Sequence, residues 1–302
     1  MKKYLFGFLL FTLSLSAQIK GVVKDSISGA PIPYVNIWVQ DENIGTTSDE
    51  KGKFSVNTQE NKNLIFSALG FKKKKFKSTK NIEIKLQHED YMLEEVVIIK
   101  KLETNEIHVG NFDYSGFRVG VGNINSAIFF KPDNEMLQHP FLKQIKFLTK
   151  SHLDSAKIRI KILGLNKDSS PGESILDKEI IVSVKKGKNK NIVDFSEYKL
   201  KIPKEGFFIS FEKLLIDTNK YSFEFKYKDK NGKNIIQKSI TIEPELCYVP
   251  EEKDIIWQSS INGIWTKTQK QILKNPKSYE NLLMRKYHDK YLMPSMLITF
   301  TN

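Results

Sequence analysis

Gly21-Val22-Val23-Lys24-Asp25, Ser28-Gly29-Ala30-Pro31-Ile32-Pro33, Val35-Asn36-Ile37, Gly45-Thr46-Thr47-Ser48-Asp49, Gly52-Lys53-Phe54 and Ser67-Ala68-Leu69-Gly70-Phe71 follow one another in that order along the chain. Runs of β-branched and aromatic residues alternate here with turn chemistry. Ile19 to Val23, Val35 to Val39, Phe54 to Val56, Leu64 to Ala68 and Ile82 to Leu86 read as strands. The intervening Asp25 to Gly29, Asp41 to Asn43 and Asp49 to Gly52 supply residues whose side chains cap turns or tolerate a left-handed backbone. Gly29 and Gly52 suit turn positions of positive φ, and Pro31 and Pro33 stiffen an edge strand. No helical period interrupts the strands, so the segment predicts a small antiparallel sandwich with Phe54, Ile65, Leu69 and Phe71 in its core.

Taken together, these residues resemble the carboxypeptidase regulatory-like domain of exported proteins from Bacteroidetes-type bacteria. The resemblance covers residues 18–88 and implies a seven-stranded, transthyretin-like sandwich. It does not imply a peptidase. Zinc carboxypeptidase chemistry needs a His and a Glu three positions apart and a distant His. None of His88, His108, His139, His152 and His288 has Glu at the third position after it. A Gly-x-Ser-x-Gly elbow and a phosphate-binding loop are missing as well. Catalytic residues, metal ligands and cofactors are therefore not expected.

Residues 1–17 carry Lys2 and Lys3, a short apolar run from Tyr4 to Leu15, and Ser16-Ala17 ahead of Gln18. That layout predicts a signal peptide, the run being short for a bilayer span. No later segment is long and apolar enough to cross as a helix, which places the product in the periplasm or at the outer-membrane or cell surface. The lone Cys247 cannot make an intrachain disulfide, and between Leu246 and Tyr248 it reads as a small buried hydrophobe. Hydrophobic residues at 40% and aromatics at 11% suffice to fill real cores.

The net charge is +13, or 13 − 2 = +11 without the leader. The lysines are spread along the chain, and Arg118, Arg159 and Arg285 are its only arginines. Arginine is the side chain suited to bidentate phosphate recognition, so nucleic acid is not the expected partner. Lys72 to Lys75 reads as a solvated edge strand guarded against aggregation, the alternative being a contact for an anionic lipid or glycan.

Residues 89–106 form a linker in which Leu93-Glu94-Glu95-Val96-Val97-Ile98-Ile99 is strand-like. In outer-membrane receptors that carry the regulatory-like module, a similar stretch precedes a plug domain. Residues 107–302 then read as a second β domain. Lys143 to Thr149, Ala156 to Leu163, Glu179 to Val184, Phe207 to Glu212, Tyr221 to Tyr227 and Ile235 to Ile242 are its strand candidates. Lys157-Ile158-Arg159-Ile160-Lys161-Ile162 and Ser222-Phe223-Glu224-Phe225-Lys226-Tyr227 have period two, which predicts one face in a core and the charges in water. Ser170 to Glu173, Ile175-Leu176, Val193 to Ser196, Ile202-Pro203 and Glu205 to Ile209 resemble jelly-roll domains of exported bacterial proteins, some of which are carbohydrate-binding modules or adhesin-like domains.

Tyr279, Leu282, Leu283 and Tyr287 recur at helical spacing and predict a short helix within Pro276 to Tyr291. The whole is thus expected to be all-β with one short helix near the C-terminus. Trp257, Trp265 and Tyr248, with Tyr279 and Tyr287, are the candidate ligand-binding residues: aromatic faces on which a sugar can stack. The expected function is a non-catalytic binding or adaptor protein of the cell envelope, contacting a protein or glycan. The alternatives are a glycan-active hydrolase using carboxylates such as Glu205, Glu212 and Asp217, and a passive envelope scaffold.

Overall fold

The computed structural model describes residues 18–89, 105–118, 124–228, 230, 232–275, 277, 282 and 284–302. Residues 1–17, where a signal peptide is expected, and the run Leu93 to Ile99 lie outside them. The chain is all-β, in two sandwiches and a separate hairpin.

The N-terminal sandwich faces a three-stranded sheet, ordered Lys53–Asn57, Gln18–Asp25, Asn81–Leu86, against a four-stranded sheet, ordered Gly45–Thr47, Asn36–Val39, Asn63–Ser67, Lys74–Lys77. Gln18–Asp25 runs parallel to Asn81–Leu86; the other pairings are antiparallel. The core fills with alternate residues: Ile19 and Val23, Ile37 and Val39, Phe54 and Val56, Leu64 and Phe66, Ile82 and Ile84. Phe54 is therefore placed as expected. Ile65, by contrast, points away from this core and Phe66 into it, because period two lets only one of two neighbours face inward. Gly29 and Gly52 have φ of +70° and +69°. At Gly52 the turn is closed by Asp49, whose Oδ1 accepts the N–H groups of Lys51 and Lys53 at 2.8 Å.

The C-terminal sandwich packs two seven-stranded antiparallel sheets. One runs Pro171–Ser174, Ala156–Leu165, Phe207–Lys213, Asn125–Phe130, Ile256–Ser259, Trp265–Lys267, with Ile180–Val184 also paired to Ala156–Leu165. We call it the inner sheet, since one of its faces turns toward the N-terminal sandwich. The other runs Tyr291–Pro294, Glu245–Glu251, Phe141–Ser151, Met296–Thr301, Glu106–Asn111, with Gly187–Asp194 and Phe117–Arg118 attached. Ile158, Ile160, Ile162, Phe207, Ile209 and Phe211 from the inner sheet meet Ile145, Phe147, Ile298 and Phe300 from the other. The Phe147 and Phe211 rings lie 5.0 Å apart across the layer. Cys247 is buried in Glu245–Glu251.

Short helical segments include Asn134–Gln138 and, in the described part of Pro276 to Tyr291, the 3-10 turn Arg285–Tyr287; Tyr279 and Leu283 lie outside the described residues. Tyr287 is drawn fully into the core, its OH donating to the Tyr248 carbonyl at 2.6 Å. One expectation changes. The strand with Phe223, Phe225 and Tyr227 does not place an aromatic face in a core. Lys220–Lys228 pairs with Asn234–Ile242 as a two-stranded hairpin that joins neither large sheet, and those rings stay exposed.

Candidate functional site

Register assigns the inner sheet's outward face residue by residue. Leu163, Phe208 and Phe129 form one row across neighbouring strands. Lys161, Ser210, Ala127, Trp257 and Lys267 form the next. Arg159 opposite Glu212, and Asn125, Ser259 and Trp265 in line, form the third. One end of the face is thus apolar and the other charged.

The charged end meets the N-terminal sandwich. Arg159 is buried, with Nε 2.7 Å from Glu179 and Nη1 3.3 Å from Glu212. Nη1 also donates to Asn36 Oδ1 at 3.2 Å, and Nη2 donates to the Tyr34 carbonyl. Lys161 reaches Glu212 at 3.1 Å. Burial opposes the charge on Arg159, yet Glu179 and Glu212 more than offset it and hold its pKa up. Burial likewise works against the Glu212 carboxylate, but Lys161 and Arg159 hold its pKa below the ordinary value. The alternation in this strand predicted its charges in water; for Arg159 that fails, because the face opposite the core is covered by a second sheet.

Around this point the two sandwiches share further bonds. Thr46 Oγ1 donates to the Leu215 carbonyl and the Leu215 N–H donates to Thr47 Oγ1, both at 3.1 Å. Lys157 pairs with Glu50 and donates to Tyr34 OH at 3.2 Å. The Tyr34 ring packs on Leu214 and Ile216.

Beyond the pinned end the facing sheets open into a cleft of about 580 Å³. Asn36, Trp38, Ser67 and Phe71 line it from one side; Arg159, Lys161, Glu179, Glu212, Asn262 and Trp265 line it from the other. Lys72, Lys73, Arg159 and Lys161 are balanced by Glu89, Asp168, Glu173, Glu179 and Glu212, so the lining is near neutral in a strongly basic chain.

Of the three expected binding residues, the structure brings two together. Trp257 and Trp265 sit on adjacent strands of the outward face, two positions apart in register, and both pack against Ala127, Leu163 and Phe208. Trp257 meets Phe208 edge-on at 6.2 Å, and Lys267 lies 5.8 Å from its ring centre. Both indoles remain half-buried. Tyr248 lies elsewhere: it is buried between the two sheets, and burial pushes its phenol up to about 12. Tyr287 lies in that core too, and Tyr279 falls outside the described residues. Sequence reasoning missed Trp38, Arg159 and Glu179. The signal for Arg159 was present: a lone arginine in a lysine-rich alternating strand, where a planar guanidinium suits a buried carboxylate pair.

The carboxylates considered for hydrolysis do not gather. Glu205 is exposed in the turn before Phe207–Lys213, Glu212 lies at the far end of that strand, and Asp217 is exposed and paired with Lys220 at 2.6 Å. No cluster of metal-ligating side chains occurs among the described residues.

Residues 19–98 match the family described as CarboxypepD_reg-like domain. The chain is 33% identical over 106 residues to TonB-dependent receptor P3 of Formosa agariphila, covering 33% of this chain and 11% of the receptor. Among solved structures it overlaps the cysteine protease and lectin-like domains of Cwp84, a surface-layer-associated protein of Clostridium difficile. That overlap has a TM-score of 0.35 and 11% identity, over 86% of this chain and 45% of the other. BcpA, the major pilin subunit of Bacillus cereus, overlaps at a TM-score of 0.17 and 10% identity, over 95% of each chain. Neither overlap is close enough to place a site on this chain.

Proposed function

We propose that this chain, two β units over residues 18–88 and 107–302, is an exported binding protein of the cell envelope that holds a neutral glycan in the cleft between its sandwiches. The observation that carries the reading is the placing of Trp38, Trp257 and Trp265, all the tryptophans of the protein, in or beside one cleft of balanced charge. Flat apolar rings offer stacking faces to a pyranose, while Asn36, Asn262 and Ser67 offer the amide and hydroxyl groups that bond its rim. The balanced charge favours an uncharged sugar over an acidic one, which would leave Glu179 and Glu212 facing its carboxylates.

A hydrolase needs a carboxylic acid that keeps its proton near neutral pH. Glu212 is held the opposite way, ionised between Lys161 and Arg159, which supports binding without bond cleavage. A glycan array probed with the folded protein tests the proposal. Binding to neutral oligosaccharides should fall at least about tenfold in Trp265→Ala, as expected when a stacking face is lost; equal binding by parent and variant overturns it.

A second reading, an adaptor that contacts an envelope protein, draws support from the stretch shared with the TonB-dependent receptor. Crosslinking in native envelopes separates the two: a single specific outer-membrane partner retained by Trp265→Ala favours the adaptor.

A further inference from the structure

The hairpin of Lys220–Lys228 and Asn234–Ile242 is the least covered part of the fold. Nine residue pairs keep strict register, and neither strand pairs with another among the described residues. Its two faces differ. Tyr221, Phe223, Phe225 and Tyr227 stand on one, opposite Thr241, Ser239, Gln237 and Ile235. Their rings follow each other at 6.1, 6.2 and 5.9 Å. Not one of these eight side chains is charged. The reverse face mixes Glu224, Lys226, Lys228 and Lys238 with the exposed Ile236 and Ile240.

We propose that this aromatic face is where a second copy of the chain docks, two hairpins packing face to face about a two-fold axis. Charge argues for this occupant. A molecule with a net charge of 13 − 2 = +11 without residues 1–17 repels its own copies wherever lysines meet, and this eight-residue face presents no charge to its twin. An isolated two-stranded hairpin is also marginal in water, so a cover for its apolar face stabilises the element itself. Area sets the strength. Phe223, Phe225 and Tyr227 are 37%, 41% and 45% exposed. At 150–250 Å² per aromatic side chain those three expose roughly 200–300 Å², and the whole face about twice that. Two copies then bury roughly 800–1,200 Å², the lower edge of specific interfaces, which points to a dimer that forms at micromolar concentration and above.

Sedimentation velocity on the folded protein, from about 1 to about 200 µM, tests this. The expected result is a mass that rises from monomer to dimer with concentration, more readily at high salt, where lysine repulsion is screened. Phe223→Ser with Phe225→Ser should stay monomeric throughout, raising the dissociation constant at least about tenfold. Ile236→Ser with Ile240→Ser, on the reverse face, should dimerise as the parent does. Both pairs are solvent-exposed, so an unchanged circular-dichroism melt separates loss of docking from loss of fold. A parent that stays monomeric, or a dimer that survives the phenylalanine changes, overturns the proposal. So does flotation of a monomeric parent with phosphatidylglycerol vesicles, lost on those changes and weakened by salt, which would make the occupant a lipid surface.

Discussion

The guanidinium of Arg159 donates to the backbone carbonyl of Tyr34, and this bond joins the inner sheet of one sandwich to the other sandwich at a buried point. Tyr34 has φ +55°, a left-handed conformation unusual for an aromatic residue. Such a backbone persists when its surroundings over-determine it. Here the carbonyl is held by Arg159 and the ring by Leu214 and Ile216. The strained residue and the buried charge therefore depend on each other across the two units.

Replacing Arg159 with Met leaves Glu179 and Glu212 short of a cation and removes the bonds to Tyr34 and Asn36. Breaking a buried pair from one side costs about 3–5 kcal/mol. The expected outcome is a lower and broader thermal transition that separates into two steps as the sandwiches uncouple. Adding Glu212→Gln to Arg159→Met should restore part of the loss. A single unshifted transition in the Met variant contradicts the pin.

Gly29 and Gly52 share nearly the same positive φ but differ in surroundings. A Cβ on Gly29 meets nothing within 4 Å, whereas one on Gly52 lies 2.5 Å from the Val23 carbonyl oxygen. Gly29→Ala should cost about 1 kcal/mol, the left-handed penalty alone. Gly52→Ala should cost clearly more, because the backbone of the first strand must move. Equal denaturation midpoints for the two variants would remove the steric part of this account.

The Asp25 carboxyl is lowered to about 2, first by the backbone N–H of Ile27 and then by His88, whose Nε2 lies 2.9 Å away. A carboxylate whose pKa is lower in the folded state adds stability that is complete above its unfolded value and disappears as pH falls through the folded one. Stability should thus decline from near pH 4 toward pH 2, and Asp25→Asn should flatten that part of the curve. An unchanged acid limb in the Asn variant counts against it.

Tyr248 gives the opposite sign. Burial raises its pKa from 10.0 to about 12, so its contribution is complete below pH 10 and is lost as pH rises toward 12. Tyr248→Phe should make stability less sensitive to pH in that interval. Because the residue sits between the sheets, away from the cleft, the same variant should bind glycan like the parent.

The first sandwich was legible in the sequence because each of its strands is bounded by turn residues and alternates over a single core. Asp49 and Gly52 mark a turn by residue type alone. The second sandwich was legible strand by strand, but what covers its faces was not. Ile158-Arg159-Ile160 and Phe223-Glu224-Phe225 have the same period, yet the first buries both faces and the second leaves its aromatic face open. Period two states that the faces differ; it carries no information on what lies against either. For the same reason Trp257 and Trp265 could be grouped from their nearness in the chain, while Trp38, brought in by the opposing sheet, could not. Tyr248 stands apart from them because its strand, Glu245–Glu251, belongs to the other sheet and turns the ring into the core between the two.

The most direct test of glycan binding in the cleft is tryptophan emission during titration with neutral oligosaccharides. Trp38, Trp257 and Trp265 are the only indoles in the protein; Trp38 and Trp265 line the cleft and Trp257 packs in the same cluster as Trp265, so no distant tryptophan dilutes the signal. Binding in the cleft should give a saturable shift in emission that is lost in Trp265→Ala and kept in Tyr248→Phe and in Phe223→Ser with Phe225→Ser. Emission that stays flat across neutral sugars, or a shift that survives Trp265→Ala unchanged, contradicts it.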